Sequence, residues 1–157
     1  MIKCIQAKNM LDEIDRSIVA IRGFKGACEL EKSYLAKFLV VYICGIYEEA
    51  IECIVNERVT TLGSDRLNRF LESYLDRNFR NPDISKIGEL LGLFDKVWKK
   101  EVKGLSNKAK QSFFNILANK NALAHGIPCN VTFDEVVKYY TDSIEVIEKI
   151  DNIVQFK

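Results

Sequence analysis

The residue types able to move a proton and to carry a fixed positive charge meet in one stretch, Asn119-Lys120-Asn121-Ala122-Leu123-Ala124-His125-Gly126-Ile127-Pro128. His125 is the only histidine in the chain. An imidazole titrates near neutral pH and so serves as either acid or base. Lys120 supplies a cation, and Asn121 supplies both a donor and an acceptor.

These groups must be positioned by a helix. Phe113, Phe114, Ile116, Leu117, Leu123 and Ala124 recur at helical spacing, and Gly126 followed by Pro128 is a stop signal. Winding at roughly 100° per residue gathers the apolar side chains in one arc, with Lys120 near its middle. Asn121 and His125 are four apart and fall along one edge of that arc, so three polar side chains are expected to point inward. An unpartnered buried ammonium costs several kcal/mol, so Lys120 needs a carboxylate or a wet cleft to face. A plainer account also fits. The helix dipole favours a histidine in the last turn by roughly 0.3–1 kcal/mol, and a lysine can snorkel out of an apolar face.

The partner helix is expected between Ala27 and about Thr61, where only Gly45 interrupts. Its segment Phe38 to Tyr47 is apolar on every side and reads as the central, fully packed helix. Glu48 and Glu52 share a side with Leu30, Tyr34, Val41 and Val55, which makes them the candidate acids for Lys120 and His125. Either glutamate also fits a helix emerging into solvent.

The other elements follow from periodicity and caps. Residues 2 to 22 read as an amphipathic helix closed by Gly23 and Gly26. Ser64 caps a helix through Leu67, Phe70, Leu71, Tyr74 and Leu75, and Asn78 to Asp83 ends it. A short helix spans Ile84 to Phe94. The motif helix begins near Ser106 or Asn107, and the last helix begins at Thr132 with Glu135 in the capping-box position. No stretch alternates with period two over strand length, so the class is all-α. Without a linker or repeat, residues 1–157 form one domain.

Between Lys96 and Lys110 there are six lysines and one acid, a local charge of about +5 beside Trp98. Lys96, Lys99, Lys100 and Lys103 are candidates to hold phosphates, with Trp98 stacking a base. A lysine run of this kind also occurs as a solvated face.

Composition narrows the remaining classes. A chain of 157 residues, 48% hydrophobic and 29% charged, buries a substantial core. A net charge of +1 argues against a surface that is basic all over, so any nucleic-acid site is a local patch. Five cysteines, at 4, 28, 44, 53 and 129, form no C-x-x-C pair, as expected of a reduced, cytoplasmic chain. One histidine and no paired cysteines leave too few ligands for a zinc site, so no metal and no cofactor is expected. No leader peptide is expected, and the longest apolar run is too short to span a membrane.

Lys120-Asn121-x-x-x-His125 followed by Gly126 resembles the R-N-x-x-x-H signature of HEPN domains, helical bundles common among bacterial toxin and phage-defence ribonucleases. The helix ending Tyr47-Glu48-Glu49, Asn81-Pro82 leading into Ile87-Gly88-Glu89-Leu90-Leu91-Gly92-Leu93-Phe94, Trp98, and the closing helix are similar to the branch called RiboL-PSP-HEPN. The resemblance covers nearly the whole chain and implies a bundle of about five to seven helices. It further implies a homodimer whose two motif helices form one composite cleft for metal-independent cutting of single-stranded RNA or tRNA, with an antitoxin or defence-system protein as a further partner. In that scheme His125 is general acid or base at the ribose 2′-hydroxyl and the leaving oxygen. Asn121 holds the motif and bonds the phosphate or the histidine, and Lys120 replaces the family's arginine. The exchange gives up a planar fork for a point charge on a looser stem. It therefore also fits a HEPN module that has lost catalysis and serves in dimerisation, RNA binding or partner binding.

Overall fold

The computed structural model describes residues 1–26 and 28–156; Ala27, where the sequence places the start of the long helix, lies outside the described residues. Among the described residues seven helices follow in order: α1 (Ile5–Gly23), α2 (Glu29–Thr60), α3 (Asp65–Asn78), α4 (Ile84–Phe94), α5 (Lys96–Lys103), α6 (Asn107–Ala124) and α7 (Phe133–Phe156). The all-α expectation holds, and among the described residues there is no strand. Among the described residues no helix is long and apolar enough to cross a membrane.

Local sequence accounts for most boundaries. Ser64, Asp83 and Ser106 each accept a bond from a backbone N–H in the first turn of the helix they precede. Thr132 and Glu135 form the expected reciprocal box, with Thr132 N–H to Glu135 Oε2 at 2.8 Å and Glu135 N–H to Thr132 Oγ1 at 3.3 Å. The start of α1 is different, because its cap is tertiary. Asp151 on α7 is fully buried and accepts from the backbone N–H groups of Lys3 and Cys4 at 2.6 and 3.1 Å. A buried carboxylate with both oxygens bonded is tolerable where a solitary one is not.

Helix α2 is the axis of the bundle, with α1, α6 and α7 packed along it. At 32 residues it is about 48 Å long. Leu39, Ile43, Ile51 and Ile54 of α2 are fully buried with Ile14, Ile116, Ile147 and Ile150, each contributing roughly 1.5–3 kcal/mol through burial. Tyr47 joins three helices at once. Its ring stacks on Phe113 of α6 at 5.5 Å and on Tyr140 of α7 at 6.3 Å, and its hydroxyl lies 2.7 Å from Ser143 Oγ.

The expectation that α2 is packed on every side is corrected. Leu30, Tyr34, Phe38 and Val41 are 64%, 61%, 58% and 47% exposed. Their spacing traces one stripe along the outer face of the first half of the helix, which neither α1, α6 nor α7 covers. An all-round apolar composition therefore reported two different surfaces: a core face, and a face left open.

Candidate active site

Both ends of α6 are fixed by side chains from elsewhere. At its start, Glu145 of α7 accepts from the Ser106 N–H at 2.9 Å and from its hydroxyl at 2.7 Å, while Ser106 Oγ accepts from Ala109 N–H at 3.1 Å. These two bonds hold the Glu145 carboxyl below its ordinary range. Lys108 and Asp142 add an α6–α7 ion pair at 2.7 Å.

At its end, α6 closes in a Schellman turn. Ile127 N–H reaches Ala122 O at 2.9 Å and Gly126 N–H reaches Leu123 O at 3.3 Å, with Gly126 at φ 67°. That left-handed conformation is why a glycine stands there. The following segment folds back on the helix, where Cys129 Sγ donates to Asn119 Oδ1 at 3.1 Å and Asn119 Nδ2 donates to Asn115 O at 2.8 Å. His125 is consequently held at the C-cap, at φ −98° and ψ 9°, with its backbone N–H on Asn121 O at 3.1 Å.

Of the three polar groups expected to face inward, only Lys120 does so. It is half-buried, whereas Asn121 and His125 are exposed. The helical arc placed them at its edge, and no neighbouring element extends far enough to cover that edge.

The acid expected to meet Lys120 is a second correction. Lys120 Nζ donates to Asn81 Oδ1, a neutral acceptor in the turn between α3 and α4. Glu48 is engaged by that same turn. Its Oε1 pairs with Arg80 Nη1 at 3.2 Å and its Oε2 accepts from Asn81 N–H at 2.6 Å. Glu52 meets neither Lys120 nor His125 in an ion pair among the described residues. Its Oε1 is buried with no hydrogen-bond partner. Burial first, and then the charge of Glu48, push its carboxyl above the ordinary range, against the pull of Arg80. Cys44 sits beside Glu48 and Asn81. Burial raises its thiol to about 12, with the Lys120 charge pulling down and Glu48 pushing up.

Sequence reasoning read Asn81 as part of a helix-ending turn and of the family-like stretch, but gave neither it nor Arg80 a role in the site. The signal present was an Arg-Asn-Pro turn, and Asn is among the few non-glycine residues that accept a left-handed backbone; Asn81 lies at φ 47°.

The lysine run divides. Lys96, Lys99, Lys100 and Lys103 are exposed on α5, as a phosphate-binding role requires. Trp98 is corrected from base stacker to core residue, because it is 7% exposed and its ring stacks on Phe94 at 6.0 Å. The α5 helix is amphipathic, and the tryptophan lies on the side opposite the lysine ammonium groups. The stem of Lys99 lies along α4 at Gly92, where an added Cβ would come within 3.0 Å of Lys99 Cδ.

Among the described residues, no three of His, Cys, Asp and Glu come together as a metal site requires.

Among the described residues the chain is a bundle of seven helices whose penultimate helix ends in an exposed histidine, with a lysine five residues earlier. The chain matches the RiboL-PSP-HEPN family over residues 8–155 and belongs to it. No curated protein and no solved structure matches the chain.

Proposed function

We propose that the protein is a metal-independent endoribonuclease of toxin or phage-defence type that cuts single-stranded RNA at a site shared by two subunits. Membership of a HEPN family points to an RNA-related role. The observation that carries the finer reading is the exposure of His125 at the C-cap of α6, five residues after a Lys120 whose ammonium is hydrogen-bonded to Asn81.

In this reading the ribose 2′-oxygen attacks the adjacent phosphorus while one imidazole takes its proton. The bond from phosphorus to the 5′-oxygen breaks, and a second imidazole protonates the departing oxygen. The products are a 2′,3′-cyclic phosphate and a 5′-hydroxyl. Two proton-transfer groups are needed at once, and each chain has one histidine; a dimer supplies both. The Lys120 ammonium stabilises the charge that builds on the phosphorane oxygens. The Asn121 side chain is exposed beside His125 and able to bond a phosphate oxygen.

The exposed stripe Leu30, Tyr34, Phe38 and Val41 supports pairing of two copies, since contiguous apolar surface on a soluble chain marks a contact site. Residues 130–134, which follow the His125 turn, line a depression together with Glu29, Lys32 and Ser33 of α2. Exposed Ile127 adds to the same end of the bundle.

A catalytically silent module would be favoured by a histidine sealed from solvent and a lysine neutralised by a carboxylate. Among the described residues His125 is exposed and Lys120 donates to a neutral amide oxygen, which supports the catalytic reading. The test is cleavage of tRNA and of unstructured RNA by the purified protein in EDTA, with the ends identified by mass. Cyclic-phosphate termini that disappear in His125→Ala support the reading, and cutting that persists in that variant overturns it. Antitoxin or defence-system partners remain part of this proposal, and co-purification from cells tests them.

A further inference from the structure

We propose that Asn81 is a positioning residue: the turn between α3 and α4 holds the Lys120 ammonium in place through a neutral acceptor and so leaves its positive charge available. The inference rests on the ribonuclease reading of Lys120, but the geometry behind it stands separately.

The turn is anchored by contacts that do not involve Lys120. Glu48 binds it twice, through the Asn81 N–H at 2.6 Å and the Arg80 guanidinium at 3.2 Å. Asp76 Oδ1 accepts from Arg80 Nη2 at 3.5 Å, and Lys86 Nζ donates to Arg80 O at 3.2 Å. Pro82 is buried next to Asn81. The turn closes against Tyr47 and Phe113 with about 10 Å³ left between them, the least space that admits one water. A left-handed Asn81 aims its side chain at α6, and the amide oxygen accepts from Lys120 Nζ.

The chemistry of the acceptor matters as much as its place. A carboxylate in contact with an ammonium cancels most of its field, and Glu48 is within one residue of doing that. Arg80 answers the Glu48 charge instead, and the amide stands between the acid and Lys120. An ammonium steadied by a dipole stays a cation toward a third group, as a phosphate site needs. The arrangement also addresses the looser stem of a lysine. A flexible side chain that donates one bond to a fixed acceptor loses much of the disorder that separates it from a preorganised guanidinium.

Asn81→Gly separates position from structure, because glycine accepts the left-handed backbone, keeps the N–H to Glu48, and deletes only the acceptor. Two readouts are expected. The ¹H–¹⁵N signal of the Lys120 ammonium, assigned by its loss in Lys120→Arg, is slowly exchanging in the unaltered protein and is lost in Asn81→Gly, while the melting temperature stays equal or rises. The kcat for RNA cleavage falls about tenfold, as expected for a catalytic group allowed to wander, with KM changed less than about twofold. Asn81→Asp keeps the acceptor but adds a charge that cancels much of the ammonium's field, so it retains the ammonium signal and lowers kcat/KM. An ammonium signal and a kcat both unchanged in Asn81→Gly overturn the proposal. Should the unaltered protein fail to cut RNA, the ribonuclease reading fails, and the ammonium signal alone decides whether Asn81 holds Lys120.

Discussion

The end of α6 and the outer face of α5 are both places where positive charge meets aromatic or imidazole chemistry in the sequence, and they fold into different kinds of surface. Near the end of α6, groups from α2, the α3–α4 turn and α6 converge: both carboxylate oxygens of Glu48 bind the turn, and the Asn81 amide oxygen accepts from Lys120. On α5 the charges come from one helix. The lysines point to water and the tryptophan points to the core. Charge density along a chain describes a helix face, whereas a site requires several elements to aim at one point.

The contrast is broken or sharpened by four measurements. His125→Ala is expected to lower cleavage at least 100-fold, the usual contribution of a positioned proton-transfer group, with the melting temperature unchanged because the side chain is exposed. A loss confined to a few-fold would remove the distinction between the two regions. Trp98→Ala is expected to cost about 3–5 kcal/mol in denaturant unfolding through the cavity it leaves, while the affinity of the still-folded fraction for RNA stays the same. Weaker binding at unchanged stability would return the tryptophan to the binding surface.

The joint change Lys99→Gln, Lys100→Gln and Lys103→Gln is expected to weaken RNA binding a few-fold and flatten its salt dependence by up to about two units in the logarithmic slope. An effect as large as that of His125→Ala would make α5 part of the site. Smallest is the response of Glu52. Its carboxyl is held above the ordinary range by burial and by Glu48, so the folded state disfavours the ionised form. Stability is therefore lost as pH rises from the unfolded carboxylate value through the raised folded one, and the penalty is full above it. Glu52→Gln should raise the melting temperature slightly at pH 7 and not at pH 4. A gain at both values would point to packing and not to charge.

The alternation of apolar and polar positions carried the fold. The caps at Ser64, Ser106 and Thr132, the stop at Gly126 and the long run of α2 all depend on residues within one turn of each other, and local bonds decided them. The motif Lys120, Asn121 and His125 was legible for the same reason, since its spacing along one helix is set by the backbone alone.

What the sequence could not decide is which side chains meet across helices. Glu48 and Lys120 do face the same region, yet the turn at Asn81 comes between them, a fact that no pattern within either helix contains. The same holds for Asp151, whose partners lie at the opposite end of the chain, and for the stripe on α2, which is apolar in sequence whether or not another helix covers it. Periodicity fixes the direction of a side chain relative to its own axis. Only the packing of one axis on another decides whether that direction ends in hydrocarbon, in a partner or in water.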